Sequence, residues 1–321
     1  MTKVALVFPG QGSQFVGMGQ ALYAGSATAR GIFDRADELL GIPLSTLCFE
    51  GPATELEETV NAQPAILTAS VAILEAVREA AASTGTPLDP VVVAGHSLGE
   101  FTALVAAGAI DFADALGLVR ERGRLMKQAG DEQPGGMAAV IGLDAGSLAD
   151  VCLEAGHDGI VVVANDNCPG QTVISGEVGA LTRAMELAKE RGAKRVARLG
   201  ISIASHSPLM AQASSQFGEL IASVQLRTPR VPVVGNSRGE AIATIDGLRE
   251  ELMSHIERPV QWTRSVQEMI AMGVDTFIEV GPGQVLSGLI KRISRDVSII
   301  AVDDLELGLP VINRERAARG V

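Results

Sequence analysis

The chain has 321 residues, of which 47% are hydrophobic and 20% charged, and it carries a formal net charge of −12 at pH 7. This composition is typical of a globular protein with a full core, and it excludes an intrinsically disordered chain. The acidic balance also argues against general nucleic-acid binding, because few basic groups are present to neutralise a phosphate backbone.

The cysteines and the N-terminal sequence together favour a reducing compartment, and we expect a cytoplasmic protein. The three cysteines are odd in number and widely spaced, which fits neither a disulfide framework nor a zinc site: Cys48, Cys152 and Cys168. The apolar run 4–8 is ended by a proline and is too short for a signal peptide. No uninterrupted apolar stretch reaches about 18 residues, so we expect no membrane span.

Strand-like and helix-like runs alternate along much of the chain. In chain order they are 4–8 (strand), 65–82 (helix), 91–94 (strand), 101–107 (helix), 231–234 (strand), 265–272 (helix), 276–280 (strand) and 298–302 (strand). This alternation predicts an α/β fold in which helices cover both faces of a parallel sheet.

The middle of the chain has a different order of elements. Its runs are 137–143 (strand), 145–155 (helix), 160–164 and 172–175 (strands), 178–191 (helix) and 195–199 (strand). This order is that of a ferredoxin-like unit, so we predict a small subdomain at 134–200 inserted in a large domain formed by residues 1–133 and 201–321. The groove between the two is the expected ligand site, and residues 313–321 are predicted to be a polar tail.

A G-x-S-x-G sequence, in which a sharp strand-to-helix turn exposes a serine hydroxyl, occurs twice. At Gly95–Gly99 the pattern leads into a convincing helix start, so Ser97 would lie at a helix N-terminus and the large domain would be α/β-hydrolase-like. At Gly235–Gly239 the following residues alternate as in extended chain. We therefore predict that Ser97 is a nucleophile and that Ser237 lies in a turn.

A serine nucleophile needs a base, and the chain contains only four histidines: His96, His157, His206 and His255. His96 adjoins the nucleophile and is predicted to pack or hydrogen-bond beneath the turn. His157 and His255 are predicted to be solvated, the first in a glycine-flanked turn and the second on a polar helix. His206 ends a strand-like run, 201–205, and is the candidate base. No acidic third member stands out, so a Ser-His pair and a full triad both remain open.

Several further motifs occur in a fixed order, and their combination resembles the malonyl-CoA:acyl-carrier-protein transacylases and the acyltransferase domains of fatty-acid and polyketide synthases. The resemblance covers nearly the whole chain. Its motifs are FPGQGSQ at 8–14, QPA at 63–65, GHSLGE at 95–100, RGRLM at 122–126, NCPGQ at 167–171, SHSPLM at 205–210, PVQWT at 259–263 and EVGPG at 279–283.

The resemblance implies a role for each of five residues. Ser97 would be the acylated nucleophile and His206 its general base. The main-chain carbonyl of Gln261 would orient His206. The main-chain N–H groups of Gln11 and Leu98 would form the oxyanion hole, which requires donors fixed before the reaction.

The resemblance also selects Arg122 as the residue that would hold the free carboxylate of a malonyl group, since a guanidinium can donate two parallel hydrogen bonds to it. From the sequence alone, Arg122 could equally be one of several surface arginines on a charged helix. Gln63 and Asn167 match positions that line the pocket of the family, although a turn or cap role suits Asn167 as well.

The activity implied is ping-pong transfer of a malonyl group from malonyl-CoA to the phosphopantetheine thiol of an acyl carrier protein. Coenzyme A enters as part of the substrate, and we expect no bound cofactor, no metal and a monomer. Carrier proteins are usually acidic, so docking would use local basic residues: Lys194, Arg195, Lys291 and Arg292.

Two enzymatic alternatives and one non-enzymatic alternative stay open. The residues before His206 match neither of the tetrapeptides best known from modular synthases, so a methylmalonyl or other acyl-CoA substrate is possible. An acyl-carrier thioesterase or hydrolase on the same scaffold would keep Ser97 and His206 but would not need Arg122. An inactive module that only binds carrier protein would never become acylated.

Overall fold

The computed structural model describes residues 2–83, 85 and 88–303, so the tail predicted at 313–321 lies outside the described residues. The strands are β1 Val4–Phe8, β2 Val92–Gly95, β3 Gly135–Ile141, β4 Val161–Cys168, β5 Gln171–Glu177, β6 Arg195–Arg198, β7 Val233–Val234, β8 Ala241–Ile242, β9 Thr276–Val280 and β10 Ser298–Val302. The helices are α1 Gln20–Gly25, α2 Ala27–Leu40, α3 Leu44–Glu50, α4 Ala53–Glu57, α5 Thr59–Ser83, α6 Gly99–Ala106, α7 Phe112–Glu132, α8 Ala145–Ala155, α9 Val178–Glu190, α10 Ala211–Ser223, α11 Ile245–Met253, α12 Trp262–Ala271 and α13 Val285–Ile293.

The larger sheet has the order β10-β9-β1-β2-β7-β8. Its pairs are parallel from β10 to β7, and only β8 is antiparallel to its neighbour. All five residues of β1 are buried. Leu6 and Phe8 enter the core on one face of the sheet while Ala5 and Val7 enter the core on the other, as the two-residue period of a strand requires. The predicted α/β fold is confirmed.

The described residues include one helix, α5, that is long and apolar enough to cross a membrane by length and composition. However, 83% of its most apolar window is buried inside the protein. The helix packs against α7 and α2 and supplies much of the core beneath the sheet. This burial explains its apolar composition without a membrane.

The smaller sheet has the order β4-β5-β3-β6, with all pairs antiparallel, and α8 and α9 pack together beside it. This is the ferredoxin-like arrangement that the order of elements predicts. Strand β3 begins two residues before the predicted start, because Gly135 and Gly136 pair with β5. A Cβ atom on Gly135 would lie 2.7 Å from the carbonyl oxygen of Gly176, so the glycine permits this pairing. The exact domain boundaries stay a prediction.

Two predicted strands are absent from the structure or much shorter in it. Residues 201–205 do not form a strand. Their main-chain contact with β3 is a single hydrogen bond, from the N–H of Gly135 to the carbonyl oxygen of Ser202 at 3.4 Å. Strand β7 covers only Val233–Val234 of the predicted run, which contains a proline that cannot donate to the sheet.

Candidate active site

Ser97 occupies the sharp turn between β2 and α6, and we call residues 95–99 the elbow. Its backbone is left-handed, with φ 48°, which costs a non-glycine residue about 1–3 kcal/mol. The flanking glycines make the turn possible, since a Cβ atom on Gly95 would lie 1.9 Å from the carbonyl carbon of Gly99. The predicted elbow is therefore present, and Ser97 stands at the N-terminal end of α6.

The imidazole of His206 contacts the hydroxyl of Ser97, with Nε2 2.9 Å from Oγ. Its other nitrogen, Nδ1, lies 2.8 Å from the main-chain carbonyl oxygen of Arg258. A carbonyl can only accept, so Nδ1 carries the proton and Nε2 is free to accept from the serine hydroxyl. The prediction that the carbonyl of Gln261 orients His206 is wrong, because Nδ1 has one proton and the carbonyl of Arg258 accepts it. The carbonyl of Gln261 accepts the N–H of Ser265 in the first turn of α12 instead.

His206 is 4% exposed, and its surroundings favour the neutral imidazole. Burial lowers its pKa well below the usual 6.5, and the nearby charge of Arg122 and the imidazole of His255 lower the pKa further. At neutral pH the ring is therefore unprotonated, which is the state that a general base requires.

Arg122 lies on α7 but points into the core and is only 1% exposed, so it is not a surface arginine. Its Nη2 donates to Oγ of Ser97 at 3.1 Å, and its Nη1 donates to Oε1 of Gln63 at 2.8 Å. Burial lowers the pKa of the guanidinium to about 10, which still leaves it charged at neutral pH. A buried guanidinium that is still charged is suited to binding a substrate carboxylate.

Gln63 is fully buried and holds Arg122 from behind, rather than lining the cleft as the resemblance implied. Its Nε2 donates to Oγ1 of Thr59 at 2.9 Å, and that hydroxyl donates to Oε1 of Gln11 at 3.0 Å. A chain of directed hydrogen bonds thus runs from Arg122 to Gln11. Sequence reasoning missed Thr59, which lies four residues before Gln63 on the same face of α5.

The main-chain N–H groups of Gln11 and Leu98 make no hydrogen bond to any residue that the structure describes. Such free donors beside a nucleophile are what an oxyanion hole needs. The Gln11 loop approaches the elbow closely, since a Cβ atom on Gly10 would lie 2.3 Å from the carbonyl oxygen of His96. Glycine at position 10 therefore allows the two segments to meet.

Asn167, at the end of β4, connects the smaller sheet to the elbow. Its Oδ1 lies 2.7 Å from Nε2 of His96, which means that His96 donates. The His96 ring also packs edge-on against Trp262, with ring centroids 5.6 Å apart. His96 thus packs and hydrogen-bonds as predicted, and both it and Asn167 line the cleft.

A cleft of about 560 Å³ opens onto the Ser97 hydroxyl, in the groove between the two predicted domains. One wall carries side chains of the smaller sheet, among them Met137 and Val173, and the other carries Val285, Leu286 and Leu289 of α13. Glu279 fixes the start of α13, because its carboxylate accepts the N–H groups of Leu286 and Ser287 at 2.9 and 2.7 Å.

Comparison with known proteins agrees with this geometry. The family model described as acyl transferase domain matches residues 5–306. The malonyl CoA-acyl carrier protein transacylase of Bacillus subtilis (strain 168) is 45% identical over 319 residues, covering 98% of this chain and 99% of the relative. The protein of the same name from Escherichia coli (strain K12) is 44% identical over 304 residues, covering 95% and 97%. The chain belongs to the malonyl-CoA:acyl-carrier-protein transacylase family.

Solved structures of this transacylase family superpose closely on the chain. The transacylase of Coxiella burnetii has a TM-score of 0.93 at 39% identity, with 98% of each chain covered. A malonyl-transacylase in complex with its holo type II PKS acyl-carrier protein also has a TM-score of 0.93 at 39% identity, covering 98% of this chain and all of that one. The α/β-hydrolase-like large domain and the ferredoxin-like subdomain are therefore the architecture of the transacylase family.

Two polar residues behind the elbow of this transacylase were not predicted from its sequence. Asn236 belongs to the second G-x-S-x-G sequence, yet its Oδ1 accepts the N–H of Ser97 at 2.8 Å. His255 was predicted to be solvated, and this is wrong: it is 2% exposed, with Nε2 3.5 Å from Oε2 of the buried Glu100. Ser237 lies in a turn, as predicted, where its hydroxyl bonds to Glu251.

Proposed function

We propose that the protein transfers a malonyl group from malonyl-CoA to the phosphopantetheine thiol of an acyl carrier protein, through an ester on Ser97. One observation carries the proposal: the Oγ of Ser97 is contacted from one side by a neutral imidazole, His206, and from another by a buried guanidinium, Arg122. A base and a carboxylate-binding cation on one hydroxyl suit an acyl donor that carries its own carboxylate.

In the first half-reaction, Nε2 of His206 takes the Ser97 proton as Oγ attacks the thioester carbonyl. The N–H groups of Gln11 and Leu98 stabilise the oxyanion, and Arg122 binds the malonyl carboxylate. The tetrahedral intermediate collapses with loss of the coenzyme A thiolate, which receives the proton from the imidazolium. The carbonyl of Arg258 keeps the proton on Nδ1, so the imidazolium is stabilised while it forms.

In the second half-reaction, the carrier thiol gives its proton to His206 and attacks the Ser97 ester, and the serine leaves with that proton. Water has to be kept from the ester between the two steps. The apolar walls formed by Met137 and Val173 on one side and Leu289 on the other suit the pantetheine chain better than water. Ser97, His206 and main-chain donors supply this chemistry, so no bound cofactor or metal is required.

Ser205 bears on which acyl group is accepted. It precedes His206, lines the cleft and has a small side chain. Space beside the imidazole is compatible with malonyl and also with a branched acyl group, so methylmalonyl-CoA is the competing substrate. A thioesterase function is disfavoured, because hydrolysis of an uncharged acyl group gives Arg122 no partner.

We propose that an acidic carrier protein docks beside α13. Lys291, Arg292 and Arg295 surround a surface groove of about 1080 Å³, and Nη1 of Arg292 donates to Oε1 of Gln171, a residue of the active-site cleft. Arg195 is close to the same place, because Ile141 of β3 pairs with Gln171 on one side and with Arg195 on the other. Three of the four predicted basic residues, Arg195, Lys291 and Arg292, therefore support docking at this end of the cleft. The protein is proposed to act in the cytoplasm as a monomer.

The deciding experiment is intact-mass measurement after mixing the protein with malonyl-CoA. The wild type should gain one malonyl group, which is lost on addition of holo-carrier protein, and Ser97→Ala should gain none. Methylmalonyl-CoA and acetyl-CoA are run in parallel to rank the acyl groups. An adduct that persists in Ser97→Ala, or one that water removes as fast as the carrier protein does, contradicts the proposal.

A further inference from the structure

The second G-x-S-x-G sequence, 235–239, lies directly behind the nucleophile. It follows β7, which pairs in parallel with β2 through Val93↔Val233 and Ala94↔Val234. Parallel neighbours end at the same edge of a sheet, so the chain leaving β7 meets the elbow that follows β2. Ser237 does not bond to the elbow, because its N–H and hydroxyl both donate to the carboxylate of Glu251.

The side-chain amide of Asn236 bonds to both ends of the sharp turn. Its Oδ1 accepts the N–H of Ser97 at 2.8 Å, and its Nδ2 donates to the carbonyl oxygen of Gly95 at 2.8 Å. Asn236 is 4% exposed, and its own carbonyl accepts the N–H of Gln261 at 2.8 Å. One fixed side chain therefore spans the strained turn from Gly95 to Ser97.

Glu100, in the first turn of α6, determines which way the amide faces. Its Oε2 accepts the main-chain N–H of Asn236 at 3.1 Å and is also contacted by Nδ2 of that residue. An accepting carboxylate oxygen suits the nitrogen end of the amide, which leaves Oδ1 to face the Ser97 N–H. Glu100 is fully buried, so this arrangement is shielded from water.

Ser97 has a left-handed backbone between β2 and α6, and its N–H finds its acceptor outside the sheet and the helix. Asn236 supplies the acceptor that this buried N–H requires. We infer that Asn236 is a positioning residue that fixes the elbow, so that the Ser97 hydroxyl faces His206 while the N–H of Leu98 stays free for the oxyanion. The inference rests on the proposed function, because it takes Ser97 as the acylated residue.

The test compares the rate of Ser97 acylation in Asn236→Ala with that in Ser237→Ala. Ser237 is the adjacent residue and is bonded to Glu251, but it does not contact the elbow. We expect Asn236→Ala to lower the acylation rate at saturating malonyl-CoA by about 10- to 100-fold, because small misplacements of a reacting group are costly. The half-saturating concentration should change by less than about 2-fold, since the Arg122–Gln63 pair is not touched, and Ser237→Ala should match the wild type.

The measurement is rapid quenching followed by intact mass, with thermal unfolding of each variant. If Asn236→Ala does not fold, Asn236→Ser replaces it, because a serine side chain puts no second carboxylate beside Glu100 and is too short to bond to both Ser97 and Gly95. A variant that unfolds at lower temperature but is acylated at the wild-type rate overturns the inference and leaves the proposed function intact. A malonyl adduct on Ser97→Ala overturns the proposed function instead.

Discussion

Nη2 of Arg122 lies 3.1 Å from Oγ of Ser97, so the cation contacts the atom that is proposed to become the ester oxygen. In a malonyl ester the free carboxylate is only two bonds from the acyl carbonyl carbon. An arginine at this position can therefore exchange its contact with the free hydroxyl for one with the carboxylate of the acylated serine. Burial is the main cause of the lowered pKa of His206, and the charge of Arg122 lowers that pKa further, so the residue proposed to bind the acyl carboxylate also favours the neutral base.

Arg122→Ala should change which acyl group is accepted. Loss of the charged hydrogen bonds to the malonyl carboxylate is expected to slow malonyl transfer by about 100-fold or more, while transfer of the uncharged acetyl group falls much less. The ratio of kcat/KM for malonyl-CoA to that for acetyl-CoA measures this change. Arg124→Ala is the control, because Arg124 is exposed on the same helix and pairs with Glu121. An unchanged ratio in Arg122→Ala would show that Arg122 does not bind the acyl group.

The acid limb of the pH profile should report on His206. Only the neutral imidazole accepts the Ser97 proton, and burial together with Arg122 lowers its pKa well below 6.5. The acylation rate of the wild type should therefore be constant above pH 6.5 and should fall only at lower pH. In Arg122→Met one cause of the lowered pKa is removed, so the acid limb should move to higher pH. A neutral serine-directed phosphonyl fluoride is the probe, since it needs no carboxylate-binding group. A wild-type limb at or above pH 6.5 contradicts this assignment.

Thr59 should matter through its hydroxyl alone. Thr59→Val keeps the shape of the side chain but breaks the hydrogen-bond chain between Gln63 and Gln11. It leaves the buried amide of Gln63 with only the weak sulfur acceptor of Met126. We expect malonyl acylation to slow by about 10-fold, consistent with one or two lost hydrogen bonds. Thr59→Ser restores the hydroxyl and should recover most of the rate. Equal rates for the valine and serine variants would exclude a role for the hydroxyl.

Glu100 should make the folded state less stable as the pH rises. Burial raises its pKa from 4.5 to about 7, so the folded protein keeps a proton that the unfolded chain already releases at lower pH. The proton on Glu100 thus contributes about 3 kcal/mol to the free energy of unfolding. This contribution is fully present below pH 4.5 and is lost as the pH rises through 7. The free energy of unfolding of Glu100→Gln, relative to that of the wild type, should therefore increase between pH 5 and pH 8. Denaturant titrations measure this difference. The control is Glu219→Gln, an exposed substitution on α10, which should show no such trend. A difference in unfolding free energy between Glu100→Gln and the wild type that does not change with pH would contradict the raised pKa.

Charge reversal at Lys291 should slow the second half-reaction, transfer to the carrier protein, more than the first, acylation by malonyl-CoA. Lys291→Glu removes a basic group from the groove beside the cleft, so the KM for an acidic carrier protein should rise several-fold and depend less on salt. Formation of the malonyl adduct from malonyl-CoA is the internal comparison. Lys189→Glu, an exposed change on α9, controls for net charge. Equal effects of the two substitutions on the KM would place the docking surface elsewhere.

Local sequence patterns were enough to select Ser97 as the candidate nucleophile and, with the family resemblance, His206 as its candidate base. Gly95 and Gly99 are required by the close contacts of the elbow, and an apolar strand followed by a helix start is visible along the chain, so Ser97 could be selected over Ser237. The order of strands and helices likewise predicted both sheets, because each run carries its own periodicity. His206 followed from having only four histidines to choose among.

Partners far apart in the chain could not be predicted in this way. Nothing local distinguishes the carbonyl of Arg258 from that of Gln261, and only the packing of the chain before α12 brings the first to within 2.8 Å of His206. His255 looked solvated because its neighbours in sequence are polar, but the fold places it against Glu100.

The sequence by itself determined the family, the α/β architecture and the serine proposed to react, since these depend on short-range backbone geometry and on ordered motifs. Only the tertiary structure decided how that serine is supported. Asn236 lies 139 residues from Ser97, and Arg122 is buried rather than on the surface because α7 packs its charged residue against α5. Contacts across a parallel sheet join strands whose connections are long, so the residues that fix the site have no spacing that a linear pattern could reveal.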